Sequence, residues 1–300
     1  MSIESRLSTF CRQPIIGIFL ILLSSTYGAR SQVAPEDKNL CYAFLSDGEL
    51  RSACEGKQES IHFRTRLLDF AVSRDGSHAA FELEYPGNKY IVRIVSLEKG
   101  LLIGDKVGER LILKSTCGEI VGVDPVTDER WNLLNRDVDR ISAYDYFLCS
   151  ADRQVVAGWI ASDRSNGRSP DNPFGSLPLH VRRHGEDTQW RIEEPLDFDV
   201  SQNGLYIGYF SRVGSRPELC VRNITFERCV AAQGGAIVVA DSGDVLFTSE
   251  QGLSYWHIGA KAPVILSKSG NIQSPQWITP AVAHALRGRA AKNAAPVKQR

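Results

Sequence analysis

The chain has 300 residues, of which 43% are hydrophobic, and its 35 Lys and Arg residues balance its 35 Asp and Glu residues. A formal charge of zero provides no overall field that would attract nucleic acid, so we expect no nucleic-acid partner. The sequence contains no G-x-S-x-G, H-E-x-x-H, C-x-x-C or phosphate-loop pattern, and it therefore predicts no catalytic centre, no metal site and no bound cofactor.

The first 31 residues have the organisation of a secretory signal peptide. Arg6 and Arg12 form a basic segment, Ile15–Leu23 is a hydrophobic run of nine, and Ala29–Ser31 offers small residues at a cleavage site. The run is shorter than the roughly 20 residues that a membrane-spanning helix needs. We therefore predict a signal peptide over residues 1–31, a periplasmic or secreted mature protein and no transmembrane span after cleavage. An uncleaved N-terminal anchor is the alternative.

The next segment predicts a disulfide-linked hairpin. Residues 39–55 contain Asp47–Gly48, a dipeptide that favours a two-residue turn between antiparallel strands. This turn places Cys41 directly opposite Cys54, and opposed residues have Cα atoms about 4.5–5.5 Å apart, which suits a disulfide. By comparison with the repeats that follow, the hairpin matches the outer two strands of a blade.

The segment Leu67–Tyr85 predicts two strands joined by a tight turn at Asp75–Gly76. Apolar residues alternate on both sides of the turn, as in strands with one buried face: Leu68, Phe70 and Val72 before it, and Ala79, Phe81 and Leu83 after it. Its phrase LDFAVSRDG returns as LDFDVSQNG at residues 196–204, and weaker copies occur at residues 111–123, 143–160 and 236–248.

These copies predict an all-β fold, a β-propeller with six blades. The blades are expected at residues 67–105, 109–140, 142–193, 196–231 and 236–267, with a sixth that mixes residues 39–55 with residues 271–279. Mixing strands from the two ends of the chain would close the ring and remove sheet edges. A β-sandwich with similar hairpins is the alternative. The propeller domain is expected to span residues 32–281.

The repeated phrase resembles the repeats of TolB-like and dipeptidyl-peptidase-type propellers, in which a strand ends in S-P-D-G before an apolar strand. The matching segments are Ser73–Gly76, Ser201–Gly204 and Asp241–Asp244, and none of them keeps the proline. Ser274–Trp277 resembles the opening of a family strand, but Ile278–Ala281 replaces the expected turn. The resemblance is diffuse over residues 40–280. It implies a fold and not a function, because that family includes binding modules and peptidase accessory domains.

The remaining cysteines and the C-terminus complete the prediction. Cys220 and Cys229 flank a plausible hairpin turn and are expected to form a second disulfide, whereas the pairing of Cys117 with Cys149 is left open. His284–Arg300 carries five Lys or Arg residues and no acidic residue. We therefore expect residues 282–300 to form a basic, disordered tail, or a short helix followed by such a tail.

The longest insertion predicts a binding rim. Ser162–Pro178 and its neighbour in the next blade, Ser211–Pro217, are expected to be loops between the second and third strands of their blades. Together they bring four arginines and one aromatic residue towards one rim: Arg164, Arg168, Arg212, Arg216 and Phe174. Because the planar guanidinium group recognises carboxylates well, the rim predicts an anionic partner.

The sequence thus predicts an exported, monomeric, non-enzymatic β-propeller that binds a protein or peptide partner. One alternative is a glycan hydrolase or lyase with its site at the channel mouth, which would require acidic or His side chains to converge there. A degenerate propeller of the peptidase-associated type is the other alternative.

Overall fold

The computed structural model describes residues 40–290 with several gaps. The gaps are residues 55, 64, 88, 109, 126–129, 135–145, 160–178, 191–196, 214–215 and 269–270. The predicted signal peptide and residues 291–300 lie outside the described part of the chain. Within that part, no helix is long and apolar enough to span a membrane.

Six small antiparallel sheets form a ring, as predicted for a six-bladed β-propeller. Blade 1 combines β1 (Cys41–Ser46), β2 (Glu49–Cys54) and β3 (Lys57–Ile61) with the last strand of the chain, β23 (Ile272–Trp277). Blade 2 contains β4 (Leu67–Val72), β5 (His78–Tyr85), β6 (Lys89–Ser96) and β7 (Leu101–Gly108). Blade 3 contains three described strands, β8 (Ile112–Thr116), β9 (Glu119–Val123) and β10 (Arg130–Asn132).

The other three blades have four strands each. Blade 4 contains β11 (Tyr146–Cys149), β12 (Val155–Trp159), β13 (Leu179–Arg183) and β14 (Glu186–Trp190). Blade 5 contains β15 (Phe198–Val200), β16 (Ile207–Val213), β17 (Arg216–Arg222) and β18 (Glu227–Ala231). Blade 6 contains β19 (Ile237–Val239), β20 (Val245–Ser249), β21 (Gly252–Trp256) and β22 (Val264–Ser267).

Blade 1 closes the ring as predicted, but the strand positions differ. The first strand of the blade is β23, which pairs with β1, with Trp277 opposite Tyr42. The hairpin of β1 and β2 therefore supplies the second and third strands, and its predicted place as the outer pair is wrong. The outermost strand is β3, which the sequence did not reveal because four of its five residues are exposed and show no apolar alternation.

The strands of each blade alternate in direction, so the two faces of the ring carry different connections. We call the face with the turns between first and second strands the turn face. The opposite face, with the connections between second and third strands and between blades, is the loop face. The Asp75–Gly76 turn lies on the turn face, whereas Asp47–Gly48 joins a second to a third strand and lies on the loop face.

One hydrogen-bond pattern holds three turns of the turn face. The Ser73 hydroxyl donates to Asp75 Oδ1 at 2.6 Å and accepts the backbone N–H of His78 at 2.9 Å. The turns that begin at Ser150 and Ser201 repeat this pattern with Asp152 and Asn203. The fourth turn residue has a positive φ, which is 72° at Gly76 and 59° at Arg153. The turn that begins at Ser150, which has Arg153 in place of glycine, therefore has the same conformation as the other two.

Three disulfides are present, and all of them lie towards the turn face. The bonds are Cys41–Cys54, Cys117–Cys149 and Cys220–Cys229. The first and third join directly opposed residues, as predicted. The second, which the sequence left open, links the ends of the first strands of blades 3 and 4. Disulfides are typical of proteins outside the cytoplasm.

The C-terminal segment forms a helix that packs against the ring. Helix α1 (Pro280–Ala285) is capped by Thr279, whose hydroxyl accepts the Val282 N–H, and a π-helical stretch, Leu286–Ala290, follows it. Val282 and Leu286 are buried in a core cluster shared with blades 1 and 2. Residues 282–285 therefore belong to a packed helix, as in the alternative of a short helix followed by a tail.

Candidate functional site

Buried carboxylates line the central channel and hold neighbouring blades together. Asp69 accepts the backbone N–H of Leu113 at 2.8 Å, and Asp199 accepts that of Val239 at 2.8 Å. Each donor belongs to the first strand of the next blade. Burial raises the pKa of both carboxyl groups, an effect opposed by these hydrogen bonds and, for Asp199, by the nearby guanidinium of Arg74.

Arg74 spans the channel from blade 2 to the opposite blade, blade 5. Its Nη2 lies 3.1 Å and 3.3 Å from the two carboxylate oxygens of Asp199, and 3.0 Å from the carbonyl oxygen of Val200. Its Nε donates to the carbonyl oxygen of Ser115 in blade 3 at 3.3 Å. The side chain is only 12% exposed. Arg74 thus separates two cavities of the channel, one open to each face, and both are lined by it.

A second cation lies on the loop-face side of Arg74. Lys114 Nζ is 4.0 Å from Asp197 Oδ2, and this carboxylate raises the pKa of the lysine. Burial raises the pKa of Asp197, and Lys114 opposes that shift. The two cations and the carboxylates of Asp69, Asp197 and Asp199 therefore form one largely compensated network inside the ring.

Acidic side chains do converge in the channel, which is the arrangement that the glycan hydrolase or lyase alternative requires. Asp69, however, accepts hydrogen bonds from the N–H groups of Phe70 and Leu113 and from the hydroxyl of Ser274. Asp199 is similarly engaged by Arg74 and by a backbone N–H group. Through these contacts Asp69 and Asp199 hold the first strands of neighbouring blades together.

The cavity on the turn face, which we call the axial socket, is a concave site of about 230 Å³ at the ring axis. Its apolar wall includes Leu40, Val238, Trp277, Ile278 and Val282. The indole Nε1 of Trp277 donates to the carbonyl oxygen of Val238 at 3.2 Å, which fixes the ring. Arg74 forms the floor, and within the described part of the chain its Nη1 donates to no protein acceptor.

The turn residues that replace the family's proline also line the axial socket. The fourth residue of each turn, Gly76, Gly204 or Gly243, donates its N–H to the carbonyl oxygen of the first, so the sequence match of Asp241–Asp244 was one residue late. The second positions are held by Arg74, Gln202 and Asp241, and all three contribute to the lining. This departure from the S-P-D-G pattern is the one sequence signal that could have identified the site. The wall itself could not be predicted, because Val238 and Trp277 come from different blades.

The predicted arginine rim is only partly described. Arg164, Arg168 and Phe174 lie outside the described residues. Arg212 and Arg216 belong to paired strands, with Arg216 opposite Val213, so the predicted loop over residues 211–217 is wrong. The two strands stay paired as far as Val213 and Arg216. The exposed Arg216 lies towards the loop face, on the opposite side of the ring from the axial socket.

No known family profile matches the sequence, and no curated protein matches it. Among solved structures, TolB from Acinetobacter baumannii has a TM-score of 0.57 at 14% identity, over 79% of this chain and 66% of that chain. The propeller domain of the trilobed protease from Pyrococcus furiosus has a TM-score of 0.43 at 12% identity, over 78% and 80% of the two chains. A chain of the nidogen/laminin complex has a TM-score of 0.49 at 10% identity, over 79% and 97%.

These identities establish likeness of fold alone. The match to TolB confirms the predicted TolB-like propeller resemblance at the level of the fold. The chain spans just under two thirds of the TolB chain that it matches.

Proposed function

We propose that the protein is an exported, non-enzymatic β-propeller that binds a protein partner through the axial socket. The observation that carries this proposal is the combination of a mainly apolar wall with an arginine floor at the ring axis. Sites of this composition take an apolar group and orient it with a few polar contacts. A side chain from a loop of the partner fits this description, with a carbonyl oxygen that accepts from Arg74 Nη1.

The charges around the axial socket favour a neutral acceptor over a carboxylate. Asp199 already compensates the Arg74 guanidinium group, and Asp241 and Asp244 also line the socket. A carboxylate that entered the socket would meet these acids before it reached Arg74. The anionic partner expected from the sequence is therefore proposed only for the arginine rim, which remains a second candidate surface on the loop face.

Export is supported by two independent features. The three disulfides fit an oxidising compartment, and the N-terminal sequence is typical of a signal peptide. We place the mature protein in the periplasm or outside the cell.

A pull-down with the oxidised mature protein, residues 32–300, tests the proposal. Extract from the periplasm or culture medium is passed over the wild type, over Ser242→Arg, which fills the mouth of the axial socket, and over Arg216→Glu, which reverses charge at the rim. We expect a protein that the wild type and Arg216→Glu retain and that Ser242→Arg loses. Loss on Arg216→Glu alone would move the site to the rim, and retention of no protein by the wild type would overturn the proposal.

A further inference from the structure

A polar cleft lies on the loop face, where blade 1 meets blade 2. We call it the seam cleft; its volume is about 450 Å³, within the roughly 300–1,000 Å³ typical of small-molecule sites. Leu45, Leu67 and Leu68 contribute apolar surface. Seven polar side chains complete the lining: Asp47, Arg66, Glu84, Tyr90, Arg110, Asn271 and Gln273.

Backbone contacts between the two ends of the chain fix the shape of the seam cleft. The Asp47 N–H donates to the carbonyl oxygen of Asn271 at 3.3 Å, and the Gln273 side chain donates to Asn271 Oδ1 at 3.1 Å. On the blade 2 side, the Glu84 N–H donates to the carbonyl oxygen of Arg66 at 3.0 Å, and the two side chains form an ion pair at 3.1 Å. The polar groups are therefore presented from anchored positions.

Several of these groups have hydrogen-bonding capacity that the protein does not use. Arg110 is 57% exposed, lies 4.0 Å from the buried Glu82 and, within the described part of the chain, makes no hydrogen bond through its guanidinium group. The Tyr90 hydroxyl, Asn271 Nδ2 and Gln273 Oε1 likewise make no hydrogen bond to any residue that the structure describes. Donors and acceptors thus face the same space.

The chemistry of the lining selects one class of ligand. Two carboxylates and two guanidinium groups line the seam cleft, so it carries no net charge that would favour an ion. A hydroxyl group both donates and accepts hydrogen bonds, which matches a wall that offers both. The ring of Tyr90 adds an apolar surface beside its polar hydroxyl group.

We propose that the seam cleft binds a neutral polyhydroxylated ligand, one or two sugar residues of a glycan. Arg110 and Gln273 line both the seam cleft and the channel cavity on the loop face, so a longer ligand can extend from one into the other. This site lies on the opposite face from the axial socket, and the inference goes beyond the proposed function and does not depend on it.

Titration calorimetry with the oxidised mature protein tests the proposal. The probes are glucose, galactose, mannose and N-acetylglucosamine, together with maltose, cellobiose and chitobiose. We expect saturable binding of at least one of them, weakened roughly tenfold or more by Arg110→Gln, because a hydrogen bond from a charged group is lost. Arg153→Gln is the matched control, since Arg153 is also exposed and paired with a carboxylate, at 2.8 Å from Glu119, but lies on the turn face.

Three results would overturn the proposal. The first is the absence of saturable binding for every sugar. The second is binding that Arg110→Gln leaves unchanged while circular dichroism confirms the fold of the variant. The third is displacement of the sugar by equimolar citrate or a hexa-aspartate peptide, because the site would then select negative charge and not hydroxyl groups.

Discussion

On the turn face, blades 2, 4 and 5 share one serine-centred turn, and three disulfides lie towards that face. On the loop face, the connections differ in length from blade to blade, and the polar seam cleft opens between two blades. One local structure therefore recurs on the turn face, whereas the loop face is the more variable of the two. A small, mainly apolar site and a larger polar site have accordingly formed on opposite sides of the same ring.

The largest expected effect comes from removing the contact that closes the channel between these faces. Asp199→Ala leaves the Arg74 guanidinium group buried without its counter-ion and the Val239 N–H without an acceptor. We expect a loss of about 3–5 kcal/mol in the free energy of unfolding. Urea denaturation of Asp199→Ala, Arg74→Met and the double variant measures it. Strict additivity of the two single losses would contradict the proposed coupling of the pair.

Removing disulfides tests how much the turn face depends on covalent links. Replacing both cysteines of Cys117–Cys149 by serine should lower the free energy of unfolding by about 2–4 kcal/mol. The loss for Cys220–Cys229 should be smaller by roughly 1 kcal/mol, because its sequence separation is 9 and not 32. Thermal unfolding of the two double variants measures both losses. Equal losses of unfolding free energy would show that loop length does not govern how much each disulfide stabilises the protein.

The pH dependence of stability tests the burial of Glu82, which lies between blades 2 and 3 close to the solvated loop face. Burial raises the pKa of Glu82 to about 7, an effect opposed by its hydrogen bond from the Leu111 N–H and by Arg110, and reinforced by Asp69. The native state therefore keeps a proton that the unfolded state releases above about pH 4.3. Glu82 should therefore lower the free energy of unfolding progressively as the pH rises from about 4 to 7, by up to about 3 kcal/mol.

Glu82→Gln removes that ionisation and retains an acceptor for Leu111. We expect it to be more stable than the wild type at pH 8, with the advantage disappearing towards pH 4. Guanidinium denaturation at a series of pH values provides the measurement. If Glu82→Gln were more stable than the wild type by the same amount at every pH, ionisation of Glu82 would not be the cause.

The smallest effect concerns single turns. Ser201→Ala removes the hydroxyl that bonds Asn203 and the Tyr206 N–H, at a cost of about 1 kcal/mol. Ser242→Ala is the control, since among the described residues the Ser242 hydroxyl accepts only one long hydrogen bond, from the Asp244 N–H at 3.3 Å, and does not bridge its turn as Ser201 does. If thermal unfolding gives the same cost for both variants, the shared serine pattern is not what stabilises the turn face.

The fold was predictable because its signals are local. Asp75–Gly76 and its copies mark the turns, and the spacing of Cys41 and Cys54 gives the register of their hairpin. Strand β3 was missed because its polar side chains carry no alternation, and α1 was left open against a disordered tail because basic residues follow it closely. The axial socket left one local signal in the turn residues that replace the proline, but its wall and the seam cleft were not predictable, since side chains from distant strands build them.

The pairing of β23 with β1 has a consequence for the order of folding. Blade 1 depends on two segments that are far apart in the sequence, so the ring closes only when they meet. Until they pair, β1 presents an open edge to proteases and to other chains. Loss of β23 would therefore leave blade 1 incomplete and expose the edge of a strand from the other end of the propeller.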